Sequence, residues 1–187
     1  MFLKCTLLLC LALSTVTGYN YQAVGKCPDI KGDPKFSLKP IKGSRGIVAT
    51  SSAGDAATDR CAILQAGTFY ITGADLSYSV FKFKENNDLS DGSFSQVGPD
   101  GNTYRVIALK SYDKSCGNMN IILRCSDIVG KYGVPPQVKI HGNIGGKTSD
   151  KCIKDAAAYA SKVLKQDITF YRLKNKSCLT ISRYCRK

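Results

Sequence analysis

Between residues 102 and 125, in NTYRVIALKSYDKSCGNMNIILRC, two apolar runs flank a polar, glycine-containing turn. The runs cover residues 104–109 and 120–124, and the turn covers 111–118. Val106, Ile107, Ile121 and Ile122 are β-branched and the runs are short, so the pattern predicts an antiparallel hairpin with a long loop. The same signature recurs along the chain. Residues 46–50, 61–65, 68–72, 93–97 and 137–141 read as short strands separated by glycine, proline and polar clusters. In 78–84, Phe81 and Phe83 alternate with Lys82 and Lys84, as a strand with one buried and one wet face requires. Residues 51–59 read as a loop, and 99–102, Pro-Asp-Gly-Asn, as a tight turn.

The period changes once. Over 150–166 the apolar positions Ile153, Ala156, Ala157, Ala160, Val163 and Leu164 fall three and four apart, which predicts one amphipathic helix. Ser149 or Thr148 can cap its start, and its alanines let it lie close against a sheet. Residues 168–173 form a last extended piece. Before the first strand, residues 19–39 read as an irregular arm that wraps the domain and is pinned at Cys27. Many short antiparallel strands followed by one helix predict an all-β fold. The expected form is an eight-stranded antiparallel up-and-down β-barrel with the C-terminal α-helix packed outside. Such a barrel either fills its interior with side chains or holds one small ligand.

Composition places this barrel outside the cell. Residues 1–18 carry Lys4, a short apolar core and small residues ending in Gly18, the pattern of a cleaved secretory signal peptide. Residues 19–187 then form a single domain. Cys5 and Cys10 leave with the signal. Cys27, Cys61, Cys116, Cys125, Cys152, Cys178 and Cys185 remain, widely spaced, so disulfides are expected and a zinc site is not. Asn175-Lys176-Ser177 is an acceptor triplet for N-glycosylation.

The chain has 27 Lys and Arg against 14 Asp and Glu, a net charge of +13. The imbalance is sharpest at the end, where Lys162, Lys165, Arg172, Lys174, Lys176, Arg183, Arg186 and Lys187 face only Asp167. Such a region attracts anionic glycans or membrane surfaces; nucleic acid is not the expected partner. His141 is the only histidine, no Gly-rich phosphate loop follows a strand, and the acidic residues form no recognisable pair. No catalytic set, metal site or cofactor is therefore expected, and the chain does not read as an enzyme.

With these segments in place, the chain resembles the lipocalins, particularly the arthropod carriers related to apolipoprotein D and the insect bilin-binding proteins. Lys26-Cys27-Pro28-Asp29-Ile30 is similar to their opening segment. Tyr104-Arg105-Val106-Ile107 with Tyr112-Asp113 is similar to their second motif. The helix and the closing segment match in order and length. The resemblance implies the pairs Cys27–Cys125 and Cys61–Cys178. Cys116, Cys152 and Cys185 are extra to these pairs; Cys152–Cys185 would clamp helix to tail, and the sequence leaves the choice among the three open. The family's first motif, Gly-x-Trp, here reads Gly43-Ser44-Arg45, and the arginine of its third motif is missing from Lys139-Ile140-His141-Gly142-Asn143. In the family that arginine packs over the tryptophan at the closed end of the barrel. Losing both implies that this end is rebuilt.

The resemblance implies a secreted carrier that binds or sequesters a small hydrophobic ligand, such as a pigment, retinoid, fatty acid, sterol or odorant. Phe81, Phe83, Tyr104 and Val106 are the candidates for lining its cavity. The alternative is a cationic extracellular protein with a filled barrel, acting through its basic surface.

Overall fold

The computed structural model describes residues 27–36, 45–57, 61–65, 68–72, 78–84, 90–126, 137–144 and 148–173. The signal segment, Asn175, Cys178, Cys185 and the basic stretch after Leu173 lie outside these residues, as does the pairing of Cys61 with Cys178.

The strands are β1 (Arg45–Thr50), β2 (Cys61–Gln65), β3 (Thr68–Thr72), β4 (Tyr78–Phe83), β5 (Ser93–Val97), β6 (Thr103–Ser111), β7 (Asn120–Cys125), β8 (Gln137–Asn143) and β9 (Tyr171–Arg172). A short helix, α1 (Ala53–Ala57), follows β1, where the sequence suggested only a loop. Ser52 starts it by accepting from the Asp55 backbone N–H at 3.1 Å. The main helix is α2 (Asp150–Leu164).

From β2 to β8 every strand pairs antiparallel with the next, and β8 pairs with β1. The organising hairpin is β6–β7, whose loop contains a single 3₁₀ turn, Lys114–Cys116, capped by Asp113. The sheet is less regular than a uniform eight-stranded barrel. Strand β1 meets β2 only at Arg45↔Leu64 and Gly46↔Ile63, and yields the rest of that edge to β9 at Ala49↔Arg172 and Thr50↔Tyr171. Nine strands are therefore present among the described residues. The ninth exists because the outer half of β1 would otherwise leave backbone groups unpaired.

One face of this barrel-like sheet is covered by α2. Val48, Ile107, Leu109, Ile121, Leu123, Val138 and Ile140 pack there against Cys152, Ile153, Ala156 and Ala160 of the helix. The helical stripe read from the sequence is the buried one, with Val163 and Leu164 partly buried beside it. Ser149 caps α2 by accepting from Cys152 N–H at 3.2 Å, and Lys165 ends it in the left-handed conformation. A register shift between Ile47 and Ala49 turns both Val48 and Ala49 toward the helix, while Ile47 belongs to the other face.

The N-terminal arm lies across β5 and β6. Gly32 N–H donates to Asp91 O at 2.8 Å, Asp33 N–H to Ala108 O at 2.6 Å, and Ser111 N–H to the Asp33 carboxylate at 2.8 Å. Gly32 and Gly92 cross so closely that a Cβ on either would overlap the other's backbone neighbourhood. Beyond this crossing Phe36 turns inward and stacks on Phe94, with ring centroids 5.9 Å apart.

Two disulfides hold the frame. Cys27–Cys125 ties the arm to the end of β7, with the Cα atoms 5.3 Å apart. Cys152 is bonded to Cys116, Cα atoms 5.7 Å apart, and not to Cys185. The reason is local. The Ser149 cap sets Cys152 in the first buried turn of α2, and the Asp113 cap turns Cys116 into the same core. Closing a loop of 36 residues is worth about 4 kcal/mol in the chain-entropy account. Cys152→Ala is expected to lower unfolding free energy by about 3–4 kcal/mol in a denaturant titration. Unreduced peptide mapping checks the pairing: a Cys152–Cys185 peptide would overturn it.

Candidate functional site

The face away from α2 is set by register. In β6 it carries Tyr104, Val106 and Ala108. Cross-strand pairing places Gln96 beside Tyr104, Phe94 and Arg124 beside Val106, and Ile122 beside Ala108. On β8, Lys139 stands opposite Ile122 and His141 opposite Asn120; Ile47 of β1 then faces His141. Phe83 of β4 is paired with Gln96, and Phe81 lies two residues along the same face. All four candidate lining residues thus share the inner face.

They divide into two groups. Toward the β5–β6 turn, Phe81 and Tyr104 meet edge to face, ring centroids 5.6 Å apart, beside Ile47. The Arg124 guanidinium lies over the Phe81 ring at 3.9 Å and 5.7 Å from that of Tyr104, and donates to Gln137 Oε1 at 3.1 Å. The Tyr104 hydroxyl donates to the Asp100 carboxylate, which also accepts from the backbone and side-chain nitrogens of Asn102 at 3.1 and 2.9 Å. Toward the β6–β7 turn, Phe36, Phe94, Val106, Ala108 and Ile122 form an apolar cluster, with Phe83 packed against it. Phe36 of the arm thus stops that end.

Between the groups is a void of about 10 Å³, room for about one water molecule. Ile47, Val106 and Ile122 give it an apolar side; Gln96, Arg124, Lys139 and His141 give it a polar one. These four polar residues are all buried, from 0 % exposed for Gln96 to 9 % for Arg124. Of the four sequence candidates only Val106 borders this space; Phe81, Phe83 and Tyr104 brace its surroundings. The polar lining was missed because Lys139 and His141 alternate with Val138 and Ile140, a pattern that reads equally well as a solvent-facing side. The available signal was Arg124, a charge inside an apolar run short enough to be buried on both faces.

Electrostatics follow from burial. Removal from water pushes Arg124 down to about 10, so it remains charged at neutral pH. His141 is held well below its ordinary value, first by burial and then by the positive charges of Arg45, Lys139 and Arg124, so it is neutral. Tyr104 is pushed up to about 12 by burial and by its bond to Asp100. Burial alone would raise Asp100, but the hydrogen bonds from Tyr104 and Asn102 outweigh it and hold this carboxyl below its usual range.

The sequence matches no protein-family model and no curated protein.

A polar latch holds the start of β1. Arg45, the first residue of β1, is buried and donates to Asn118 O at 2.9 Å. With the Asn120 amide turned to suit its neighbours, its oxygen accepts from the same Arg45 nitrogen at 2.8 Å. The first strand is thereby fastened to the β6–β7 turn. Among the described residues no cluster of His, Cys, Asp and Glu is arranged to hold a metal.

Two outcomes test this arrangement. Tyr104→Phe removes a hydrogen bond to a charged partner and is expected to cost about 1.5–3 kcal/mol of stability. Because the folded pKa of Tyr104 (about 12) lies above its ordinary value of 10.0, its contribution is complete below about pH 10 and lost between about 10 and 12. Denaturant midpoints across that range should fall in the wild type and fall less in Tyr104→Phe; identical profiles would contradict the assignment.

Proposed function

We propose that the protein is a secreted, lipocalin-like binding protein, that β1 to β8 act as a closed up-and-down barrel, and that a small hydrophobic molecule binds on the inner face. The observation that carries this reading is the convergence of Phe81, Tyr104 and Val106 on one inner face together with a few buried polar groups. An apolar surface with sparse, placed polar groups is the usual chemistry of a small-molecule site. Burying the Arg124 guanidinium costs it its water, and its contacts with Gln137 and Phe81 are with neutral groups, an unfavourable arrangement for a core built only for stability.

Phe36 seals the end near the β6–β7 turn, so the ligand comes in past the β5–β6 turn, where Arg124 lies against Phe81. The existing void accepts no more than a water molecule. Binding therefore separates Arg124 from the Phe81 ring and replaces that contact, about 0.5–2 kcal/mol in strength, with ligand surface. Each buried CH₂ of the ligand contributes about 0.8 kcal/mol, so a skeleton of modest length outweighs the lost contact. The Cys27–Cys125 and Cys116–Cys152 bonds suit an oxidising extracellular compartment. Among the described residues no helix is long and apolar enough to cross a membrane.

The small size of the void favours a second reading, in which the inner face is only a core and the basic surface engages anionic glycans, a membrane or a protein partner. The two readings separate in one titration with fatty acids, retinoids, sterols and tetrapyrroles. The carrier reading expects saturable binding with a Kd on the order of micromolar or tighter. Phe81→Ala should weaken it about tenfold or more, while a Lys162→Gln/Lys165→Gln double variant should leave it nearly unchanged. Absence of saturable binding across the panel, with salt-sensitive binding to heparin abolished by neutralising the basic positions, would replace the carrier reading with the surface one.

A further inference from the structure

The inner face concentrates positive charge in a way that the binding reading alone does not explain. Arg124 and Lys139 border one small void, with His141 at its wall, and Arg45 is buried as well. That the charges of Arg45, Lys139 and Arg124 all act on His141 places these groups within one electrostatic neighbourhood. Among the described residues Arg124 contacts neutral groups, Gln137 Oε1 at 3.1 Å, the Phe81 ring at 3.9 Å and the Tyr104 ring at 5.7 Å, with Lys139 on the same void. The carboxylates of Asp55 and Asp100 act on it electrostatically, and no ion pair joins it to a carboxylate among the described residues. A second arginine atom is left over nearby, since Arg45 Nε is buried without a hydrogen-bond partner.

A guanidinium is normally buried against a carboxylate, because desolvation is otherwise uncompensated. Here its planar fork borders a space and, among the described residues, meets an oxygen acceptor on one nitrogen only. Lys139 and neutral His141 extend the same wall. The site is therefore shaped by charge for a compact, negatively charged oxygen group, and by its apolar side for a hydrocarbon attached to that group.

We propose that the ligand is an anionic amphiphile whose acidic headgroup, of carboxylate type, sits against Arg124 and Lys139 while its hydrocarbon part lies along Phe81, Val106 and Ile122. This inference rests on the binding function proposed above and narrows it to acidic ligands. The headgroup displaces Arg124 from the Phe81 ring, which frees both the ring for the chain and the guanidinium fork for two parallel hydrogen bonds. A free anion of the same chemistry would occupy the wall without the chain.

The experiment compares palmitate with 1-hexadecanol, equal in chain length and differing in the headgroup, by calorimetric or fluorescence-displacement titration at low ionic strength. Palmitate is expected to bind the wild type at least about tenfold more tightly than hexadecanol, the worth of one charge-assisted contact. In Arg124→Met, of similar volume and without charge, the ratio of the two affinities should collapse toward one; in Arg124→Lys it should be intermediate. Circular dichroism establishes that each variant folds, and the wild-type ratio decides the matter even where one does not. Equal affinity of acid and alcohol in the wild type would overturn the acidic-headgroup inference and leave the hydrophobic carrier standing. If neither amphiphile binds, sodium acetate titrated against benzenesulfonate at matched ionic strength separates the sources. A saturable rise of Tm with acetate, absent in Arg124→Met, supports a free-anion site while the carrier reading fails. No rise overturns both.

Discussion

Strand β1 has two edges and three neighbours, and the architecture depends on how it divides them. One edge is given wholly to β8, from Arg45↔Asn143 to Thr50↔Lys139. The other is split, its first two residues taking β2 and its last two taking β9. The split works because β1 is bulged at Val48, which changes the direction of the strand between its halves. The same bulge lets one strand serve two cores, with Ile47 on the inner face and both Val48 and Ala49 under α2. Every residue of β1 is buried as a result. Arg45 then anchors the start of this strand to the opposite hairpin through Asn118, a link that backbone pairing does not provide.

The two faces of the sheet differ in kind. Under α2 the contacts are aliphatic and close, and alanines set the helix against the strands. The inner face instead mixes aromatic rings with buried cations, and its cohesion comes from stacking of Arg124 on Phe81 and from the Tyr104–Asp100 bond. Aliphatic packing is non-directional and tolerant; cation–π and charged hydrogen bonds lose much of their strength with small displacements. One face therefore sets stability while the other is the more easily rearranged.

How much of this was legible beforehand follows from the kind of signal each element emits. Strands β2, β3 and β5 are short runs set off by glycine and turn residues, and the structure begins and ends those strands where the sequence does. Helix α2 announced itself by period, and Ser149 by its capping chemistry. Strand β9 lies within 168–173, the stretch that reads as a last extended piece, but two residues carry no period that would name its partner; the unfilled edge of β1 does. Helix α1 was hidden because Ala53-Gly54-Asp55-Ala56-Ala57 reads equally well as a small-residue loop. For the site, alternation revealed which residues share a face but not what lies on the other side of it. Phe81, Phe83, Tyr104 and Val106 are apolar and were assigned inward for that reason. Lys139 and His141 have the same periodicity and the opposite polarity, so only their cross-strand partners, Ile122 and Ile47, show that they share the face of Val106. The Cys116–Cys152 bond was beyond the sequence because it depends on two capped turns meeting in space.

The crossing of Gly32 over Gly92 has a consequence for the order of assembly. The arm takes its hydrogen bonds from Asp91 O and Ala108 O, carbonyls that are brought side by side only when β5 has paired with β6. The arm is the earliest of the described segments in the chain, yet its docking surface is synthesised about sixty to eighty residues later. It must wait as an unstructured leader while the meander behind it forms, then lie down over finished strands. Cys27 is under the same timetable, because Cys125 completes β7. Oxidation of that pair thus acts as a late lock on a folded sheet, and the Cys116–Cys152 bond, across 36 residues, closes a shorter loop at lower entropic cost once α2 has been made.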